Sequence, residues 1–173
     1  RVVNSIPAAT RMISGQESTP KRIMLRRGQT YAFGGATLGG SAQFPSLHIV
    51  AGPGNDANPV LKCNGQWTWN DTRTVTDGRS KDWVFQNIDF YGPWDSTTER
   101  GGIVIGIGPQ ENSPNLTLID GCHFDGFTGA YVPTSGNNVL HRMTVINDTT
   151  ITNWQGFGVI DGDNSGIALT GTC

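Results

Sequence analysis

Four polar residues that could carry acid–base chemistry recur at matching places in the chain: Asp89, Asp120, His123 and His141. Each directly follows an apolar residue in a short segment rich in apolar side chains. If these segments stack as strands, the four side chains share one outer face, with His141 next to Asp120 and His123 next to Asp89. A carboxylate beside an imidazole is the minimum for general acid–base catalysis, and two carboxylates could act as a hydrolase pair. Outward side chains that simply pair with each other are the structural alternative.

Tryptophans and aspartates elsewhere form two further groups of candidate binding residues. Trp67 and Trp69 alternate, so on a strand both rings point to one side, and Trp94 lies in a predicted loop. Exposed rings stack on sugars, which predicts carbohydrate binding, and rings that cover one end of the fold are the alternative. Asp161 and Asp163 begin a stretch with calcium-ligand spacing, although position twelve of such a loop is not acidic. No cofactor is required by these patterns. Calcium is the one they suggest, and a plain Asp/Gly turn is the alternative.

A repeated apolar spacing indicates how these residues are positioned. In three segments, apolar residues follow one another at +3 and then at +2. A helix would continue at about 3.6 and a flat strand at 2, whereas two strands joined by a one-residue bend give this spacing. Asn87 and Gly121 fall at the bend and tolerate left-handed backbone, whereas Arg142, in the third copy, departs from that preference. The segments are 83–90 (Phe85, Ile88, Phe90), 117–124 (Ile119, Cys122, Phe124) and 138–145 (Leu140, Met143, Val145).

The distance between the copies predicts an all-β fold, a right-handed parallel β-helix. Phe85 and Ile119 are 34 residues apart, and Ile119 and Leu140 are 21 apart. One rung of such a fold takes about 20–25 residues, so the first interval is a rung plus an insertion, 92–114. Further short strands are predicted at 23–25, 47–50, 60–62, 103–105, 157–160 and 167–169.

The chain is expected to divide into an N-terminal lead-in segment, 1–19, and a β-helix of about five to six coils, 20–173. No capping helix is evident at the N-terminal end, and stacked repeats need caps to stay soluble. Either the chain is part of a longer protein or its open ends pack on something. The second option predicts a homo-oligomer or an end-to-end assembly.

Three stretches resemble the first coils of bacterial pectin-lyase-like β-helix proteins. In 22–31 an apolar strand is followed by Arg-Gly-Gln-Thr and an aromatic residue, and 51–61 and 82–90 are similar to the second and third coils. The resemblance implies an extracellular or cell-surface protein that acts on polysaccharides. Members include polysaccharide lyases, glycoside hydrolases, phage tailspikes, adhesins and non-catalytic modules, so the fold does not assign the function.

Arg142 is the best-placed candidate for the base of a lyase. A lyase of this fold is expected to use a lysine or arginine near an acidic cluster, and Arg142 adjoins His141. A surface arginine that pairs with Asp120 is the structural alternative. Whether the chain is an enzyme therefore stays open, between a lyase or glycoside hydrolase and a non-catalytic, self-assembling β-solenoid.

Composition argues against several other classes of protein. Charged residues make up 15% and the formal net charge is −2, so the basic surface of a nucleic-acid-binding protein is not expected. No stretch approaches the roughly 20 apolar residues of a membrane span. Cys63, Cys122 and Cys173 lack metal-ligand spacing and leave open both one disulfide and none. The expected function is the binding or cleavage of an extracellular polysaccharide.

Overall fold

The computed structural model of the chain describes residues 6–13, 19–33, 46–63, 72–74, 82–93, 97, 104–106, 115–127, 129–131, 142–153 and 165–173. Within these residues a short helix is followed by strands of three to six residues. The elements are α1 Ile6–Ile13, β1 Lys21–Leu25, β2 Thr30–Phe33, β3 Ser46–Ala51, β4 Val60–Cys63, β5 Thr72–Thr74, β6 Asp82–Gln86, β7 Asp89–Tyr91, β8 Val104–Gly106, β9 Asn115–Asp120, β10 His123–Asp125, β11 Gly129–Tyr131, β12 Arg142–Asn147, β13 Thr150–Thr152 and β14 Ser165–Thr170.

The strands stack into three parallel sheets. Sheet one has the order β1-β3-β6-β9-β12-β14, sheet two β13-β10-β7-β4-β2 and sheet three β11-β8-β5. Neighbouring strands come from successive passes of the chain, here called rungs, so each rung adds strands to the same sheets. This confirms an all-β, solenoid-like fold. The predicted strands at 23–25, 47–50, 60–62, 103–105 and 167–169 coincide or overlap with β1, β3, β4, β8 and β14, and 157–160 lies outside the described residues.

The register confirms the first two copies of the sequence repeat. Phe85 pairs with Ile119 in sheet one, and Phe90 pairs with Phe124 in sheet two. Asn87 has a φ of 54° between the two strands, as expected for the bend residue. The one-residue bend therefore joins sheet one to sheet two, and this junction is called the corner below.

The third copy of the repeat was predicted in the wrong register. Ile119 pairs with Ile146 and not with Leu140. Asp148 has a φ of 44° and forms the corner of this rung, whereas Arg142, predicted to lie there, begins β12. Aspartate adopts left-handed backbone more readily than arginine, so the turn residue determines the register here, and the apolar match at Leu140 does not.

The core is a column of inward side chains from sheets one and two. The rings of Phe90 and Phe124 stack with centroids 4.6 Å apart and planes 3° apart. Phe85 meets Phe90 edge to face at 5.7 Å. Phe85 and Phe90 are both 0% exposed. Because aromatic side chains bury much apolar surface, this column supplies a large part of the hydrophobic stabilisation.

Left-handed residues line up along the corner and alternate with glycine. Asn87, Gly121, Asp148 and Gly171 have φ values of 54°, 59°, 44° and 67°. A Cβ atom on Gly121 would collide with Oδ1 of Asn87, and one on Gly171 would collide with Oδ1 of Asp148. Each asparagine or aspartate side chain thus lies over the glycine of the next rung, which explains why two of these four positions are glycines.

A short helix packs on the core beside the first rung, where the sequence predicts no capping helix. Ala9 and Ile13 of α1 are four residues apart on one helix face, and both contact the core. Pro7 stands in the first turn, where its missing N–H costs nothing, and Arg11 lies in the last turn. The expectation was wrong because eight residues hold too few repeats of the helical spacing to reveal it.

The described part of the chain contains no helix that is both long enough and apolar enough to cross a membrane.

Candidate functional site

Three of the predicted catalytic residues lie at the corner. Asp120 ends β9 in sheet one, while Asp89 and His123 begin β7 and β10 in sheet two. Asp89 and His123 are register partners on adjacent strands, which confirms that they are neighbours. The predicted residues His141, Trp67, Trp69, Trp94, Asp161 and Asp163 lie outside the described residues.

Asp120 belongs to a hydrogen-bonded row of outward side chains on sheet one. This row, the carboxamide ladder, consists of Gln86, Asp120, Asn147 and Thr170. Gln86 Nε2 donates to Oδ2 of Asp120 at 2.9 Å, and Asn147 Nδ2 donates to Oδ1 at 2.7 Å. Thr170 Oγ1 donates to Asn147 Oδ1 at 2.8 Å. Both oxygens of Asp120 therefore accept hydrogen bonds from amides of its own fold, and the ladder ties four rungs together.

The position predicted for His141 beside Asp120 is occupied by Asn147. Arg142 pairs through its backbone with Asn115 and Ser165. It is thus five positions from the ladder, about 16 Å along an extended strand. The register therefore does not support an Asp120–His141 pair at the ladder, nor Arg142 at the corner as the base of a lyase.

His123 stands at the centre of a second outward row, the histidine row, which consists of Asp89, His123 and Thr150. Its Nδ1 lies 2.6 Å from Thr150 Oγ1, and its Nε2 lies 3.2 Å from Thr152 Oγ1. The Tyr91 ring meets the imidazole edge to face, with centroids 6.1 Å apart. Both ring nitrogens therefore contact hydroxyl groups of the next rung, which fixes the orientation of the imidazole.

Asp89 is held by a chain of hydrogen bonds that starts at an arginine. Arg27 Nη1 donates to Asn58 Oδ1 at 2.9 Å, and Asn58 Nδ2 donates to Asp89 Oδ1 at 3.0 Å. Arg27 Nε also donates to the carbonyl oxygen of Gly52 at 2.9 Å. Within the described residues, no donor reaches Oδ2 of Asp89. This carboxylate therefore has one oriented oxygen and one that can accept a further hydrogen bond.

A second row of outward residues runs parallel to the histidine row on sheet two. It contains Lys62, Tyr91, Asp125 and Thr152, which are register partners on successive rungs. Oδ1 of Asp125 is buried and has no hydrogen-bond partner among the residues that the structure describes. Together the two rows present hydroxyl, imidazole, ammonium and carboxylate groups on one sheet face.

Beneath the corner, the side chains of Cys122 and Thr149 are buried, and neither is positioned as a reactive group. Cys122 is 2% exposed and Thr149 is 3% exposed. Burial raises the pKa of the Cys122 thiol from 9.0 to about 12. Its Sγ donates to the carbonyl oxygen of Asp120 at 3.4 Å, and Cys122 and Cys173 are both free thiols. A thiol that stays neutral at physiological pH is not a nucleophile, so Cys122 is a core residue.

Within the described ranges, no group of three or more His, Cys, Asp or Glu residues could hold a metal ion. The calcium prediction rests on Asp161 and Asp163, which these ranges do not include.

Two residues of the site, Asn58 and Arg27, could not have been predicted from the sequence. Asn58 and Arg27 meet only because a long turn of the second rung folds back over the first, and turns have no periodicity. Asn147 could have been found, because the left-handed Asp148 that follows it marks the corner as Asn87 and Gly121 do.

Comparison of the chain with protein-family models, with curated proteins and with solved structures gave no match. The resemblance of the stretches 22–31, 51–61 and 82–90 to pectin-lyase-like proteins therefore stays a prediction from the sequence.

Proposed function

We propose that this chain is a right-handed parallel β-helix of about five to six coils, that it is extracellular or lies at the cell surface, and that it binds polysaccharide on the outer face of sheet two. The handedness follows from the rule that parallel strands in one sheet are joined by right-handed crossovers. The observation that carries the proposal is the histidine row with its parallel neighbour, which together offer oriented polar groups on a flat face.

The spacing of the rows suits a long polymer. Rungs of parallel strands are about 4.8 Å apart, close to the length of one pyranose unit, so equivalent side chains can meet successive sugars. Oδ2 of Asp89 can accept a hydrogen bond from a sugar hydroxyl. The ring of Tyr91, which is half-buried beside His123, offers an apolar surface of the kind on which sugars stack.

The arrangement supports binding more strongly than cleavage. Both nitrogens of His123 are engaged by threonine hydroxyls, and both oxygens of Asp120 are engaged by amides. Asp89 is the carboxylate best placed to act on a substrate, because only one of its oxygens has a donor within the described residues. Cleavage of the bound polysaccharide, by a lyase or a hydrolase mechanism, is therefore the second and stronger form of the proposal. In that form Asp89 would be the carboxylate that acts on the substrate.

Affinity electrophoresis against a panel of polysaccharides tests the proposal. Asp89→Asn and His123→Ala should each weaken the retardation caused by the bound polymer. Asp56→Asn is the matched control, since Asp56 is an exposed loop aspartate that accepts a hydrogen bond from Arg27 through its backbone oxygen and not through its carboxylate. Retention of every polymer by Asp89→Asn, or no binding of any polymer by the original chain, would contradict the proposal. Ultraviolet absorbance of unsaturated products and a reducing-end assay separate a lyase, a hydrolase and a pure binder.

A second candidate is a structural, self-assembling solenoid such as a filament, an adhesin or a tailspike module. The carboxamide ladder favours it, because continuous side-chain hydrogen bonding stiffens a stack without serving any ligand. Leu169, on edge strand β14, is 66% exposed, so it offers an apolar contact for another subunit. Sedimentation of the original chain and of Leu169→Glu decides: an assembly that the substitution dissolves supports this candidate, and a monomer contradicts it.

A further inference from the structure

A groove lined by apolar and basic residues lies beside the first rung. It lies between α1 and β1, has a volume of about 660 Å³, and continues to the turn at Gly52 and Pro53. This volume is within the range of small-molecule sites in proteins, about 300–1,000 Å³. Its apolar lining includes Ala9, Met12, Ile13, Ile23, Met24 and Leu25. The groove is therefore large enough and apolar enough for an aliphatic ligand.

The charge at the groove is positive, although the chain as a whole has a formal net charge of −2. Arg22, Arg26 and Arg27 line it, and no acidic residue is among its described lining residues. The Arg27 guanidinium donates to Gly52, Asp56 and Asn58, so its hydrogen bonds are made within the fold. Arg22 and Arg26 are exposed and have no ion pair within the described residues.

We propose that this groove binds a single-chain anionic amphiphile, such as a long-chain carboxylate. The aliphatic chain would lie against the methionine and isoleucine side chains of α1 and β1. The carboxylate would pair with Arg22, near the start of β1, or with Arg26, directly after its end, about 13 Å away along the chain. Met24 lines the groove and is 56% exposed, so its side chain is accessible to an aliphatic chain. The proposal is independent of polysaccharide binding on sheet two.

The three methionines of the chain provide an internal test. Met12 and Met24 line the groove, whereas Met143 lies in β12, which β3, β6 and β9 separate from β1 in sheet one. In protein labelled with ¹³C at the methionine methyl groups, laurate below its micellar concentration should shift the Met12 and Met24 signals in a saturable way. The Met143 signal should not move. Butyrate, which has the same head but a short chain, should have no effect.

Charge variants test the head-group contact. Replacing both exposed arginines, by Arg22→Gln with Arg26→Gln, should weaken laurate binding by about three- to tenfold, since each exposed pair contributes modestly. Lys62→Gln removes an exposed cation outside the groove and should leave the affinity unchanged. Four results would each overturn the proposal: equal shifts of all three methionines, unchanged affinity in the double arginine variant, no binding of laurate, or binding only to vesicles of anionic lipid.

Discussion

The buried thiol of Cys122 should make the stability of the fold depend on pH in the alkaline range. Burial raises its pKa from 9.0 to about 12, so the native state holds the proton more tightly than the unfolded chain does. The contribution to stability is complete below pH 9, declines as the pH rises from 9, and is gone above 12. Each pH unit inside this window lowers the free energy of unfolding by about 1.4 kcal/mol, so pH 10 should cost about 1.4 kcal/mol relative to pH 8.

Urea denaturation at pH 8, 9 and 10 measures this loss. Cys122→Val removes the ionisable group and keeps a similar volume, so the difference between the original chain and this variant isolates the thiol from the other alkaline titrations. Cys173→Ser is the matched control, because it removes a thiol that is exposed. If the original chain and Cys122→Val lose stability equally between pH 8 and pH 10, the thiol is not shielded from water as the structure indicates.

Three further predictions concern the core and the corner. Phe90→Ala should lower the free energy of unfolding by about 3–5 kcal/mol, because it empties a site that is 0% exposed; urea denaturation checks this, and a loss under 1 kcal/mol would contradict the packing. Gly121→Ala should cost about 2 kcal/mol, since alanine at a φ of 59° is strained and its Cβ meets Asn87. The cost should be smaller when Asn87 is also replaced by glycine, and equal costs in both backgrounds would refute the collision. Asn147 stands in an N-glycosylation sequon, but its Nδ2 donates to Asp120 and Asp148, so intact-mass analysis of protein secreted by a glycosylating host should find this site unmodified.

The fold could be predicted from the sequence because two kinds of residue repeat together, the apolar residues that point inward and the residues that form the bend. Phe85 and Ile119 supply the inward row, and Asn87 and Gly121 supply the bend, so the two signals agree for these rungs. They disagree in the next rung, because the middle inward position is Thr149, a polar residue. Thr149 can be buried because its hydroxyl donates a hydrogen bond to the carbonyl oxygen of Asn147 at 2.9 Å. Apolar spacing alone therefore could not find this rung.

The sequence predicted only those contacts of the candidate site that follow from the pairing register of the strands. That Asp89 and His123 are neighbours follows directly from the alignment of two rungs. The support of Asp89 by Asn58 and Arg27 could not be predicted, because it requires the path of a turn. The helix α1 could not be predicted for a related reason. It is stabilised by contacts of Ala9 and Ile13 with the core, and it is too short to show a helical pattern in the sequence.

The two carboxylates that the sequence treats alike have different environments at the corner. Asp120 is in the middle of a ladder, with an amide on each side, and each of its two carboxylate oxygens accepts a hydrogen bond that joins two rungs. Asp89 is fixed on one side by Asn58 and lies beside an imidazole on the other, with its second oxygen open within the described residues. Since a group must be oriented and yet unsaturated to recognise a ligand, recognition is expected at Asp89 on sheet two. Asp120 is expected to stabilise the stack on sheet one. Residue type cannot make this distinction, because it arises from the partner that the register assigns to each carboxylate.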